Sequence, residues 1–96
     1  MRVQRAERAI RDLRDIDEYL AERSPQAAVR IQRAINRHVE LLSYYPELGR
    51  EATEAGLREL AVPRTPYVIR YAVDLGEELV VIRRVVHGAR RRSEDF

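Results

Sequence analysis

Ninety-six residues, 45% apolar and 35% charged, suffice for one domain with one core and belong to the composition of folded rather than disordered chains. The lack of cysteine excludes a disulfide framework, thiol catalysis and thiolate metal sites. Formal net charge is only +2, but all 18 basic residues are arginine, a side chain that binds phosphate well and makes a poor general acid or base.

Met1-Arg2-Val3-Gln4-Arg5 leads straight into a charged segment, and no apolar run approaches membrane-spanning length. The expectation is a cytoplasmic chain with no signal peptide and no membrane segment. These first residues form a candidate short strand. A helix is predicted from about Glu7 to Arg23, with Ile10, Leu13, Ile16 or Asp17, and Leu20 at helical spacing and Ala6, Ala9 and Ala21 widening the stripe. Arg8, Arg11, Asp12, Asp15, Glu18 and Glu22 are assigned to the opposite, solvated side.

Ser24-Pro25 reads as a restart, because serine can cap a helix and proline at the first helical position forfeits no hydrogen bond. A second helix then runs to about Tyr45, with Ala28, Ile31, Ile35, Val39, Leu42 and Tyr45 on one stripe and Pro46 ending it. So short a connection folds the two helices into an antiparallel hairpin. Glu47 to Gly56 shows no apolar periodicity and reads as a loop. Three strands follow: Leu57 to Val62, Pro66 to Val73, and a long run from Leu79 to Arg90. The last two are joined at Asp74-Leu75-Gly76-Glu77, where glycine is expected to take the positive φ of a tight turn. The predicted fold is a single α+β domain over residues 1–96, two-layered, in the order β-α-α-β-β-β, with a mainly antiparallel sheet and the helical hairpin on one face.

The chemistry concentrates in the last two strands, where arginines interrupt apolar β-branched runs and the chain closes on His87-Gly88-Ala89-Arg90. A buried arginine is costly unless paired or used. If Leu75-Gly76 is a two-residue turn, Arg83 lies across from Val68 and Arg70 across from Val81, so both share one sheet face with His87. That geometry fits a cationic patch for phosphate or an acidic protein surface; it equally fits ion pairs to Glu59, Asp12, Asp15 or Glu40. Arg58 and Arg64, flanking the first strand of this region, either contact a target or keep an edge strand from aggregating. His87 is the one late residue that titrates near neutrality, and its other reading is a backbone hydrogen bond at the Gly88 turn. His38 reads as a helix-face residue. Tyr44, Tyr45, Tyr67 and Tyr71 read as core or boundary aromatics. No metal site and no cofactor are expected.

Taken together, the leading strand, the helical hairpin ending in Tyr45-Pro46-Glu47-Leu48-Gly49-Arg50, then Leu57-Arg58-Glu59-Leu60, Pro66-Tyr67-Val68-Ile69-Arg70-Tyr71 and Arg83-Val85-His87-Gly88-Ala89-Arg90 resemble the RelE/ParE superfamily of bacterial type II toxin–antitoxin toxins over essentially the whole chain. The resemblance implies a cognate protein antitoxin that wraps the toxin. It also implies one of two activities: inhibition of DNA gyrase without catalysis, as in ParE-like members, or ribosome-dependent cleavage of messenger RNA, as in RelE-like ones. The chain departs from relatives in having Arg5-Ala6 where an aromatic and a Ser or Thr often precede the first helix, which leaves that helix without a side-chain cap. RNA cleavage needs a base, an acid and cations for the phosphorane. RelE-like members draw these from lysines, arginines and a late tyrosine, whereas this chain has no lysine and no tyrosine after Tyr71. The ParE-like reading is therefore the expectation, with Arg58, Arg64, Arg70, Arg83 and Arg90 as target-binding residues. In the alternative, His87, Arg70, Arg83 and Arg90 would form a nuclease site on ribosome-bound messenger RNA.

Overall fold

One strand, two helices and four further strands follow one another in the computed structural model, which describes residues 1–88. The elements are β1 (Arg2–Arg5), α1 (Glu7–Arg23), α2 (Pro25–Tyr44), β2 (Arg50–Glu51), β3 (Leu57–Ala61), β4 (Tyr67–Asp74) and β5 (Leu79–His87). Both helices start as their sequences dictate. Ala6 precedes α1 and offers no side-chain cap, whereas Ser24 accepts a hydrogen bond from the Ala27 N–H with Pro25 behind it. The Gln32 side-chain amide donates to the Leu13 carbonyl and ties the two helices together.

The five strands form one sheet in the order β1-β5-β4-β3-β2. β1 runs parallel to β5, from Arg2 opposite Leu79 to Arg5 opposite Ile82, and the remaining pairings are antiparallel. The helical hairpin covers one face. Ile31, Ile35, Val39 and Leu42 of α2 pack with Ala9 of α1 against Tyr67, Ile69, Tyr71, Val80, Ile82 and Val85. This is the predicted α+β, two-layer arrangement, with one addition. The segment read as loop contains β2, a two-residue strand too short for periodicity to reveal, paired with Arg58 and Glu59 of β3.

Three local expectations are corrected. The apolar stripe of α1 is rotated: Asp12 is buried at 8% exposure, whereas Ile10 is 43% exposed. At 100° per residue, Asp12 lies three positions from Ala9 and four from Ile16, on the flank of the core-facing stripe, and Ile10 lies off it. The β4–β5 connection is also longer than a two-residue turn. Asp74 pairs with Leu79, leaving four residues between, and Glu78 rather than Gly76 takes the positive φ, at 51°. Finally, the hairpin register shifts at Arg70/Tyr71, so Tyr71 faces Ile82 while Arg70 faces Arg84. Arg83 is the extra residue of a β-bulge.

Candidate functional site

The bulge decides where the hairpin's cations point. With unbroken alternation, Arg70 and His87 would share a face; the inserted residue moves everything after Arg83 to the other side. His87 instead pairs with Tyr67 on the helix-bearing face, while Arg70 pairs with Arg84 and Glu59 on the opposite face. The expected common face for Arg70, Arg83 and His87 is thereby corrected, as are the pairings of Arg83 with Val68 and of Arg70 with Val81.

Arg70 is fully buried, and its Nε donates to Glu59 Oε2 at 3.2 Å. Glu59 Oε1 also accepts from Arg50 Nη2 at 3.2 Å, so Arg50, Glu59, Arg70 and Arg84 form a row across four strands. Of the two readings of Arg70, pairing to Glu59 is the one found. Arg83 is exposed, with no ion-pair partner among the described residues. His87 is exposed as well, its ring edge-on to Tyr67 at a centroid distance of 5.9 Å.

Asp12 is the polar centre that the helix reading missed. Its Oδ2 accepts from Arg84 Nε at 2.9 Å and from the Val85 backbone N–H at 3.0 Å; Oδ1 accepts from Arg8 Nε at 3.3 Å. β1 accompanies β5 only as far as Ile82. Beyond that point the edge of β5 lacks a strand partner on that side, and Asp12 supplies an acceptor to it. A carboxylate spaced with Ala9 and Ile16 on the buried flank was the signal for this role.

Arg58 is likewise engaged. It is partly buried, with Nη1 donating to the Gly49 carbonyl at 2.7 Å and Nη2 lying 3.6 Å from Glu51. It therefore helps close the segment after α2 onto the sheet. Tyr71 does the same from the core side. Its hydroxyl donates to the Pro46 carbonyl and accepts from the Gly49 N–H, both at 2.8 Å. Burial raises the Tyr71 phenol pKa above the ordinary 10.0, although the Gly49 hydrogen bond and the Arg58 charge act in the lowering direction. Burial raises that of Tyr67 as well. Gly49 leaves no room for a side chain, since a Cβ would lie 2.6 Å from the Glu59 carbonyl oxygen and 2.7 Å from the Tyr71 hydroxyl. The Pro46-to-Gly49 motif is thus a clasp between α2 and the sheet.

Arg64 stands apart from the hairpin, exposed in the β3–β4 turn at a φ of 64°. Arg90 lies outside the described residues. Of the arginines read as target-binding, the four among the described residues do not share one exposed surface: Arg70 is buried and Arg58 partly buried, while Arg64 and Arg83 are exposed in different elements. Among the described residues no group of three or more His, Asp or Glu is placed to hold a metal ion, and no helix is long and apolar enough to cross a membrane.

A sheet backed by a helical hairpin, with arginines fixed inside and displayed outside its C-terminal ribbon, matches known proteins. The profile of the family described as ParE toxin of type II toxin–antitoxin system, parDE, matches residues 3–92. Toxin RelE2 of Caulobacter vibrioides is 48% identical over 83 residues, covering 86% of this chain and 90% of that protein. Toxin RelE1 of the same organism is 34% identical over 87 residues, covering 88% and 90%. Among solved structures, a chain titled as the chromosomal ParDE toxin–antitoxin system from P. aeruginosa superposes with a TM-score of 0.77 at 22% identity, covering 91% of this chain and 95% of that one, which shows the shared fold. The chain belongs to the ParE toxin family of the RelE/ParE superfamily, the toxin side of type II toxin–antitoxin systems.

Proposed function

We propose that this toxin acts by docking, inhibiting a topoisomerase, DNA gyrase, through the basic C-terminal ribbon, and that a cognate antitoxin neutralises it by covering that ribbon. The observation that carries the reading is the dispersal of the residues a nuclease would need. His87 lies on the helix-bearing face, whereas Arg70 is buried on the other and bonded to Glu59. Proton transfer and phosphorane stabilisation require those groups within hydrogen-bond reach of one phosphate. Docking requires only fixed exposed charge, which Arg83 supplies. In this reading Arg83 meets the target, with Arg90 beyond it in sequence. Arg70 and Arg58 hold the ribbon and its neighbouring loop in shape. A gyrase supercoiling assay with purified toxin tests the proposal: inhibition at micromolar toxin is expected, and none from correctly folded protein contradicts it.

The second reading is a ribosome-dependent endoribonuclease of the RelE type. It is favoured by the exposure of His87 and by the name of the 48% identical relative. It requires A-site cleavage products on primer extension that disappear in His87→Ala.

A further inference from the structure

α2 presents a second basic surface that the ribbon reading does not use. Arg30, Arg33 and Arg37 recur at i, i+3 and i+7 on the flank of α2 away from Gln32, the residue bonded to α1. At 1.5 Å rise per residue they span about 10 Å of helix. The chain carries no acid between Glu22 and Glu40. None of these arginines has an ion-pair partner among the described residues; Arg30 Nη1 donates only to the Arg64 carbonyl, at 3.4 Å. Like charges three and four apart on a helix destabilise it, so the row is unfavourable until an anion compensates it.

The row lines a groove of about 470 Å³ between α2 and the β3–β4 turn. Ala34 and Val29 contribute apolar surface from the helix, and Pro63 and Arg64 form the far wall. That wall is held in place. The Thr65 hydroxyl donates to the Val62 carbonyl at 2.9 Å and accepts from the Tyr67 N–H at 3.1 Å, with Arg64 fixed at its positive φ between them. The one aromatic ring among the lining residues is the His38 imidazole, its Nδ1 2.8 Å from the Ala34 carbonyl oxygen, so the groove has no Phe, Tyr or Trp platform on which a run of unpaired bases could stack.

We infer that this groove docks an acidic amphipathic helix of a protein partner. Carboxylates at i, i+4 and i+7 on that helix repeat at the pitch of the arginine row and accept the guanidinium forks. Its apolar residues settle on Val29, Ala34 and Pro63. A phosphodiester chain would use the same cations but leave the apolar strip uncovered. The inference is independent of the gyrase reading, because the groove shares no residue with the exposed part of the ribbon.

The test uses the full chain and a fluorescent 18-residue peptide with glutamates at i, i+4 and i+7 and leucines on the adjoining stripe. A scrambled peptide of equal composition and a 20-nucleotide single strand serve as the other probes. Anisotropy titration should show the patterned peptide binding tightest. Binding should weaken about tenfold or more in Arg33→Glu/Arg37→Glu and also in Arg64→Glu, which alters the opposite wall, with thermal melts establishing that each variant is folded. Equal binding of the scrambled peptide, tighter binding of the oligonucleotide, or unchanged affinity in both folded variants would each overturn the inference.

Discussion

At the scale of single residues, Asp12 and Tyr71 bear most weight. Asp12→Ala removes the carboxylate that accepts from the Val85 N–H and from the mostly buried Arg84 guanidinium, and stability should fall by about 3 kcal/mol in urea denaturation. Tyr71→Phe keeps the ring but orphans the Pro46 carbonyl and the Gly49 N–H, with an expected loss of about 2 kcal/mol. The same residue sets an alkaline limit. Because the folded pKa of Tyr71 is raised, the native state keeps its proton longer than the unfolded chain does. Its contribution to stability is therefore complete below the unfolded value of about 10 and is lost as pH climbs through the folded one. The thermal midpoint should drop above about pH 10, and that drop should shrink in Tyr71→Phe; an equal drop in both would assign the effect elsewhere.

At the scale of elements, the decisive feature is the bulge in β5. Deleting Arg83, the extra residue, would leave Ile82 opposite Tyr71, Arg84 opposite Arg70 and Val85 opposite Ile69 in regular alternation, with Val85, 2% exposed, still in the core. The deletion should therefore keep a sharp cooperative transition in a thermal scan, whereas inserting one residue after Arg84 would turn Val85 outward and should abolish it, since a domain this small has only about 5–15 kcal/mol to lose; loss of cooperative unfolding in the deletion alone would contradict the register. The bulge also marks the boundary of what the residues disclosed before the fold was known. Helices, long strands and layer arrangement followed from stripes at 3.6 and 2.0 spacing, and the Ser24-Pro25 restart fell where caps demand it. The bulge left no such trace, because Ile82-Arg83-Arg84-Val85 reads equally well in either register. With it went the expected common face of Arg70, Arg83 and His87. β2 escaped because two residues carry no period, and Asp12 because a carboxylate next to an apolar stripe is normally solvated. Ion pairing between Arg70 and Glu59 could be named as an option from sequence, but strand register was needed to select it.

At the scale of the whole molecule, the helical hairpin and the sheet divide the labour. The covered face holds the core and the clasp at Gly49, and the ribbon keeps its buried cations neutralised while Arg83 remains outside. If the toxin docks as proposed, the exposed charge of Arg83 forms a rim contact that governs encounter with the target. Arg83→Glu should therefore weaken inhibition about tenfold or more without lowering the melting temperature, and raised salt should weaken the parent's inhibition by screening. His87→Ala should leave inhibition intact, because no proton moves in docking. The most direct measurement sets these two variants beside the parent in one gyrase supercoiling titration at fixed ionic strength. Inhibition by docking requires His87→Ala to match the parent and Arg83→Glu to fall well below it. Full potency of Arg83→Glu, with His87→Ala inactive and folded, would contradict the claim that this toxin works by docking.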